Sequence, residues 1–274
     1  MEFKAAKGPQ LSLDPTSVLD IRSCIIGGVD LSPGRAIPDD GDPRIDHSLE
    51  GFLFTCGPDH IRHPEPVAGT DGAKYPLHGS FSSHPADVLD VALAEDADCR
   101  ARVPVNLVGG GKALLTRHWH ISGANGEVRL RDTVSNVGDK PFPAMLMYHM
   151  NIGSKYFDEG TRLSGAMIDG GSVGWRFGDP AGQVFCVPAG QEEWAEVRLG
   201  PIAAIGGLTL LVRFRTDTLP FLQVWHNQTA PAAVLGIEPV SHRWVGRAEL
   251  EKSGEMIMLA PGETREYALS FAFV

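Results

Sequence analysis

Three short segments, far apart in the chain, carry side chains that can transfer protons. Each lies near the end of a run that is typical of a β-strand. They are Leu77-His78-Gly79, Tyr148-His149-Met150-Asn151 and Gly236-Ile237-Glu238-Pro239. Histidine can donate and recover a proton near neutral pH, and a carboxylate can accept one. Two histidines and one carboxylate therefore form a candidate acid/base set, provided that the fold brings them together.

The candidate base, Glu238, ends an apolar run at 234–237 and is followed directly by Pro239. A glutamate in this place is either a surface residue at a strand end or a carboxylate that points into a cleft. These residues alone leave both interpretations open. Partial burial in a cleft would raise the pKa of Glu238 towards a value useful for catalysis.

The candidate acid, His149, follows the apolar run 143–147 and stands between Tyr148 and Asn151. A lone histidine in an apolar strand is more often a core residue with satisfied hydrogen bonds than a functional group. The neighbouring tyrosine and asparagine form a cluster of hydrogen-bonding side chains, and this cluster favours a site.

The order and surroundings of these segments resemble the galactose mutarotase (aldose 1-epimerase) superfamily, over roughly residues 25 to 270. Segment 77–79 resembles its "L-H-G" motif, 148–151 its "N-H-x-x-x-N" strand, 132–136 its "D-x-V-x-N" strand, and 237–239 its "leucine/isoleucine–Glu–Pro" segment. Residues 49–57 and 78–86 further resemble the aldose 1-epimerase-like branch. In that branch an arginine stands where this chain has Ser80.

The resemblance implies a cofactor-free, metal-free mutarotation that interconverts the α and β anomers of a reducing sugar. It implies that Glu238 is the base, that His149 protonates the ring oxygen, and that His78 hydrogen-bonds the sugar near the reacting centre. The replacement of the branch's arginine by Ser80 leaves the sugar open. Neutral hexoses, pentoses, deoxy sugars and uronates all remain candidates.

Four further residues are candidates for binding the substrate. Asn151 would orient the histidine or bind a hydroxyl, and Tyr148 belongs to the same polar cluster. Trp225 offers an apolar ring face to a sugar, although a core position is as common for tryptophan. Arg35 matches an early arginine of the family only loosely. Arg44 and Arg62 are alternatives for this arginine, and Asp217 is a candidate for the family's sugar-binding aspartate.

The elements that must position these side chains are β-strands. Alternating or β-branched runs at 113–121, 127–137, 208–214 and 265–274 are separated by turn residues, and no segment has a helical period over three turns. Residues 122–126 form a good hairpin connection. We expect an all-β, large antiparallel β-sandwich; the resemblance implies the mutarotase-like supersandwich, with the site on a concave sheet face.

Domain organisation follows from the same pattern. Residues 1–274 are predicted to form a single domain, in which 1–20 are an N-terminal extension or an edge segment. Two loop-like stretches, Ser32–Asp46 and Pro58–Tyr75, lie upstream of His78. Because long loops in a compact domain are often functional, we expect these two to form a wall or lid of the site.

Composition limits the functional classes. The chain has 43% hydrophobic residues and a net charge of −10, so it can bury a core but has no basic footprint for nucleic acid. No run suits a signal peptide or a membrane span, and the four cysteines are scattered, as in reduced cytosolic proteins. We expect a cytoplasmic monomer or homodimer that acts on a small sugar.

Two rival interpretations remain. His118 and His120 would share one face of a strand, as in some metal sites, but no third ligand follows at a set spacing. Alternatively, the chain is a non-catalytic carbohydrate-binding protein, because one fold serves several functions. The pair Glu238 and His149 distinguishes the classes, since a binding module has no need of a matched acid and base.

Overall fold

Two large stacked antiparallel β-sheets and a two-stranded sheet formed by Phe142–Pro143 and Met258–Leu259 make up the structure, a computed structural model that describes residues 1–35 and 51–274. The strands are β1 (Glu2–Phe3), β2 (Gln10–Asp14), β3 (Asp20–Ile26), β4 (Val29–Asp30), β5 (Leu53–Cys56), β6 (Asp87–Leu93), β7 (Ala97–Asn106), β8 (Lys112–Ile121), β9 (Val128–Asn136), β10 (Phe142–Pro143), β11 (Met147–Gly153), β12 (Arg162–Ser164), β13 (Ser172–Gly174), β14 (Gln183–Pro188), β15 (Trp194–Ile202), β16 (Leu208–Arg215), β17 (Phe221–Asn227), β18 (Val234–Val240), β19 (Met258–Leu259) and β20 (Thr264–Phe273).

Helix is minor, as the sequence predicts. The described residues contain one α-helix, α1 (Arg247–Ser253), and 3₁₀ turns at Ser154–Tyr156, Asp169–Gly171 and Ala203–Ile205. None of the helices in the described part of the chain has the length and apolar character needed to cross a membrane.

The first sheet has the strand order β1-β2-β3-β5-β11-β18-β17-β14, with β4 paired to β3. The second has the order β13-β12-β15-β16-β20-β9-β8-β7-β6. Residues 1–20 supply the edge strands of the first sheet rather than a separate extension. The four predicted strands correspond to β8, β9, β16 and β20, so the prediction of a large antiparallel sandwich is confirmed.

Most strands of the second sheet are buried on one face only, because their residues alternate between apolar and polar. In β8 the residues that face the core, such as Leu115 and Trp119, are fully buried, while their neighbours are partly exposed. This alternation follows from the period of two in a pleated strand. The alternation explains why the sequence pattern predicted these strands.

The central strands β11 and β18 are different, since every residue in both is buried. One face packs in the main core between the sheets. The other is covered by a second apolar cluster, in which Ile61 from the loop after β5 and Leu250 from α1 pack against Phe54 and Met147. Double burial explains the nearly continuous apolar runs before His149 and Glu238.

A fully buried arginine connects the two sheets. Arg117 on β8 donates from Nε and Nη2 to both carboxylate oxygens of Asp132 on β9, at 2.9 and 2.7 Å. Its Nη1 donates to Asp20 on β3 at 2.6 Å, and its Nη2 to the Thr55 hydroxyl on β5 at 2.6 Å. The Tyr148 hydroxyl on β11 donates to Asp132 at 2.9 Å. We call these five residues the buried arginine cluster.

Burial alone would lower the pKa of Arg117, but the adjacent carboxylates of Asp132 and Asp20 outweigh burial and raise it. The guanidinium therefore remains charged inside the sandwich. A buried ion cluster of this kind stabilises strongly only while all of its members are present, because each charge compensates another that has lost its water.

Arg117→Ala should lower the free energy of unfolding by about 3–5 kcal/mol, because it leaves two carboxylates buried without their cation. Urea denaturation followed by circular dichroism measures the change. The matched control is Arg129→Ala, which breaks the exposed Arg129–Glu127 pair and should cost about 1 kcal/mol or less. Equal effects of the two substitutions would contradict the role assigned to the cluster.

Candidate active site

The proton-transferring residues lie together on the outer face of the first sheet, the face opposite the sandwich core. Met147, His149 and Asn151 share one face of β11, and Gln223 and Trp225 share the same face of β17. Between them runs β18, in which Glu238 is paired with Gln223 and Gly236 is paired with Trp225 and with Asn151. Strand pairing thus places residues from distant parts of the chain side by side.

A cavity of about 160 Å³ opens on this face. Strands β11, β14, β17 and β18 supply its floor, and the loop residues 61–63 and 77–78, together with Trp244, supply its walls. The loop predicted at Pro58–Tyr75 therefore forms one wall of the cavity, as expected. The other predicted loop, Ser32–Asp46, lies outside the described residues from position 36 onward. The lining side chains are Ile61, Arg62, His63, Leu77, His78, Met147, His149, Val184, Gln223, Trp225, Glu238 and Trp244.

Glu238 and His149 form a buried pair at the bottom of the cavity. Oε1 of Glu238 lies 3.2 Å from Nε2 of His149, and the side chains are 0% and 5% exposed. Burial raises the pKa of Glu238 to about 7, against the opposing effects of the Gln223 hydrogen bond and the Arg62 charge. Burial, aided by the charge of His78, holds the pKa of His149 well below 6.5. Both groups therefore favour their neutral forms.

Gly236 allows this close approach. A Cβ atom at position 236 would lie 2.5 Å from Oε1 of Glu238 and 3.3 Å from Cε1 of His149. The first distance is well below van der Waals contact, so any side chain here would displace the carboxylate. The glycine two residues before the glutamate is thus part of the site, although it carries no functional group.

The loop that carries His78 is held by backbone contacts. His78 has a φ of +61°, which is unusual for a residue other than glycine, and Gly79 has a φ of +93°. A Cβ at Gly79 would lie 2.1 Å from the carbonyl oxygen of His60, so only glycine fits there. The His78 ring centre lies 5.4 Å from that of His149 and 5.2 Å from that of Phe54.

Aromatic rings fix the orientation of His149. Its ring stacks on Phe54 with the centres 4.4 Å apart, and the edge of Trp225 approaches it at 5.9 Å. Trp225 is only partly buried and lines the cavity, as the sequence interpretation of a sugar-facing tryptophan requires. The structure therefore brings Glu238, His149, His78 and Trp225 into one site.

Gln223 is a site residue that the sequence reasoning missed. Its Nε2 donates to Oε2 of Glu238, and its Oε1 accepts a hydrogen bond from Nη1 of Arg62 at 2.9 Å. Arginine can only donate, so it fixes which end of the amide faces the glutamate. The only signal in the sequence was the spacing of two between Gln223 and Trp225, which puts both on one strand face.

Arg62, one of the alternatives to Arg35, is the arginine that lines the cavity. Its Nη2 donates to the carbonyl oxygen of Arg243 at 2.7 Å, and its guanidinium lies 4.5 Å from the ring centre of Trp244. Arg35 is exposed at the end of the described segment 1–35 and does not line the cavity. Arg44 lies outside the described residues.

Three other predicted residues are not brought to the cavity lining. Tyr148 points into the sandwich, because successive residues of a strand face opposite sides, and its hydroxyl belongs to the buried arginine cluster. Asn151 is fully buried beside His149 and does not line the cavity. Asp217 forms an exposed ion pair with Arg215.

Ser80, His118 and His120 lie outside the cavity lining. The Ser80 hydroxyl donates to Asp59 at 2.7 Å inside the loop, so it does not face the cavity. His118 and His120 each lie within 3.1 Å of a different oxygen of Asp98 on the second sheet. Across residues 1–35 and 51–274, no group of three or more His, Cys, Asp or Glu side chains is arranged to hold a metal ion.

Comparison with known proteins identifies the family. The family described as "Domain of unknown function (DUF4432)" matches residues 6–170 and 178–273, which is most of the chain. The chain belongs to the DUF4432 family. No curated protein matches it.

Solved structures confirm the fold of this DUF4432 protein. A candidate aldose 1-epimerase from Klebsiella pneumoniae superposes with a TM-score of 0.77 and 19% identity, covering 97% of this chain and 77% of that one. A galactose mutarotase related enzyme from Lactobacillus acidophilus gives 0.71 and 12%, with 100% and 97% covered. An aldose epimerase homologue from C. elegans gives 0.66 and 13%, with 100% and 98% covered.

These similarities show that the chain has the galactose mutarotase-like fold, a fold of carbohydrate epimerases. The superfamily inferred from the three motifs is therefore confirmed at the level of the fold. Identities below 20% leave activity to be argued from the site of this chain itself.

Gln223→Leu should raise the pKa of Glu238 further above about 7, because it removes a hydrogen bond that favours the carboxylate. The chemical shift of the Glu238 carboxyl carbon, followed by NMR across pH, measures this pKa. Gln228→Leu is the matched control, since Gln228 lies outside the cavity lining. An unchanged or lowered pKa in Gln223→Leu would contradict the assigned hydrogen bond.

Proposed function

We propose that this DUF4432 protein is a mutarotase, an epimerase that interconverts the α and β anomers of a reducing sugar by acid/base ring opening. The observation that carries the proposal is the pair Glu238 and His149, buried 3.2 Å apart at the bottom of a cavity that Trp225 lines. Burial without a cation in direct contact raises the pKa of a carboxyl group, and groups whose pKa is shifted in this way concentrate at functional sites.

The reaction needs one proton on the pair. One group must accept the proton of the C1 hydroxyl while the other protonates the ring oxygen. Burial favours neutral groups, so before a sugar binds that proton resides on Glu238 and His149 is a free base. Transfer of the proton from Oε1 to Nε2 gives a carboxylate beside an imidazolium, which is the form that can open the ring.

Ring opening then proceeds in a balanced way. The Glu238 carboxylate takes the proton from the C1 hydroxyl, a carbonyl forms at C1, the bond from C1 to the ring oxygen breaks, and His149 gives its proton to that oxygen. The pair returns to the neutral forms that burial favours. Rotation about the C1–C2 bond and the reverse proton transfers close the ring to the other anomer.

The remaining lining residues support this chemistry. His78 lies beside His149 and would hydrogen-bond the sugar near the reacting centre. Trp225 offers an apolar face to the ring, and Gln223 occupies Oε2 of Glu238, which leaves Oε1 to face His149 and the substrate.

Glu238→Gln should abolish anomer exchange, with a loss of at least about 100-fold, because the amide cannot accept the hydroxyl proton. Saturation-transfer NMR on a panel of reducing sugars measures exchange in both proteins. Glu266→Gln, on the second sheet, is the matched control and should keep the wild-type rate. Sugar binding without faster exchange in the wild type would favour a carbohydrate-binding protein and contradict the proposal.

The rate of exchange should be bell-shaped in pH. Above about pH 7 Glu238 loses its proton and the pair has none to give to the ring oxygen, so the rate falls. At a pH well below 6.5, His149 becomes protonated while Glu238 is also protonated, and no base remains. The two apparent pKa values that bound the profile belong to the Glu238–His149 pair and not to either residue alone. A flat profile between pH 4 and 9 would remove the acid/base mechanism.

A further inference from the structure

Arg62, in the loop after β5, donates hydrogen bonds to this chain from each of its three guanidinium nitrogens. Its Nη2 donates to the carbonyl oxygens of Arg243 at 2.7 Å and His242 at 3.4 Å. Its Nε donates to the carbonyl oxygen of Val245 at 3.3 Å, and its Nη1 to Oε1 of Gln223 at 2.9 Å. Four acceptors therefore surround one half-buried guanidinium, and they use most of its N–H groups.

Three of these acceptors are backbone carbonyls of one short segment, residues 242–245, which we call the 242–245 turn. The turn carries Trp244, whose ring centre lies 4.5 Å from the guanidinium carbon of Arg62. Trp244 is 45% exposed and lines the cavity. Since the core does not enclose this side chain, its place beside the cavity depends on the backbone of the turn and on the contact with Arg62.

The fourth acceptor connects Arg62 to the proposed base. Gln223 accepts from Arg62 at Oε1 and donates from Nε2 to Glu238. Without Arg62, the amide would be free to turn over and present its oxygen to Glu238. An acceptor in that place favours the protonated carboxyl, because only the protonated form can donate to it. Arg62 thus acts on Glu238 through one intermediate side chain.

The charge of Arg62 acts on Glu238 in the same direction. All four acceptors of Arg62 are neutral, so none of them neutralises its charge. This charge lowers the pKa of Glu238, against the larger opposing effect of burial. Both the charge and the hydrogen bonds of Arg62 therefore favour the carboxylate, which is the form that accepts the proton of the sugar hydroxyl.

We propose that Arg62 is a positioning residue, which holds Trp244 beside the cavity as a second ring platform for the sugar and holds Glu238 through Gln223. A sugar would contact Trp225 on the floor of the cavity and Trp244 in its wall. The family resemblance implies an arginine that binds sugar hydroxyls, whereas here the protein itself occupies the guanidinium. The proposal rests on the proposed function, because a ring platform needs a sugar in the cavity.

The first test needs no substrate. In the full chain labelled with 5-fluorotryptophan, Trp244→Phe and Trp119→Phe assign the fluorine NMR signals of these two residues. In Arg62→Lys the Trp244 signal should shift and broaden, because a single ammonium cannot replace the planar fork that bonds three carbonyls and an amide. The signal of Trp119, which is fully buried in the core, should not move and so reports that the variant is folded.

The second test measures the pKa of Glu238 by NMR of its carboxyl carbon, again without substrate. In Arg62→Met this pKa should rise from about 7 by about 1, because the charge and the hydrogen bond to Gln223 are both lost. In Arg62→Lys it should rise less, because the charge is kept. Arg129→Lys, on the second sheet, is the matched control and should leave this pKa and the Trp244 signal unchanged.

Anomer exchange then separates positioning from binding. The sugars are D-galactose, D-xylose, L-fucose and D-galacturonate, one from each candidate class. Trp244→Ala should raise KM about tenfold with a smaller effect on kcat, since a ring platform contacts the sugar alike in the ground and transition states. Arg62→Lys should raise KM and also lower kcat about tenfold or more, because Glu238 is no longer held in one orientation.

Two results would overturn the proposal. In the first, Arg62→Lys raises KM while the Trp244 signal and the pKa of Glu238 keep their wild-type values, which would show that Arg62 binds the sugar directly. In the second, neither the signal nor the pKa changes in Arg62→Met. If the wild type accelerates exchange of none of the four sugars, the proposed function fails, and the two substrate-free measurements still decide whether Arg62 positions Trp244 and Glu238.

Discussion

The charge of Arg117 inside the sandwich is the interaction on which the rest of the structure depends. Its guanidinium reaches three strands besides its own, and two belong to the opposite sheet. Because such a cluster is stable only when each hydrogen bond is made, it fixes the position of one sheet relative to the other. A sandwich held only by apolar side chains could tolerate small shifts, whereas directional bonds to a buried cation cannot.

The buried arginine cluster also determines the geometry of the candidate site, because successive side chains of a strand point to opposite faces. Tyr148 and Thr55 point inward and join the cluster, so the residues next to them, His149 and Phe54, point outward and stack on each other. The cluster therefore holds the backbone beneath the proposed acid. The site is built on central strands and not on loop tips, which favours the fixed geometry that proton transfer requires.

Burial on both faces of the central strands sets the electrostatics of the site. The outer face of the first sheet is closed by α1 and the loop after β5, so Glu238 and His149 sit in a cavity with little access to water. Desolvation moves the pKa of the carboxyl up and that of the imidazole down, so that the two values change order and the proton of the pair rests on Glu238. Ring opening draws this proton to His149 as the carboxylate takes the proton of the sugar hydroxyl.

The sequence by itself determined the β class, the strands that alternate cleanly and the three segments that carry Glu238, His149 and His78. These features are local, since a period of two, a turn residue or a short motif is read from neighbouring positions. The resemblance also predicted the galactose mutarotase-like fold, and the solved structures confirmed that fold. Trp225 was a candidate because its ring offers an apolar face to a sugar, and it lines the cavity.

Only the tertiary structure decided what depends on contacts between distant residues. It placed Tyr148 in the core and Arg62, rather than Arg35, at the cavity, and it showed that Gln223 orients Glu238. Their partners lie many positions away, and a pattern of spacing carries no information about which strands pair. The sequence anticipated that burial would raise the pKa of Glu238, but only the sandwich supplies that burial, together with the lowered pKa of His149.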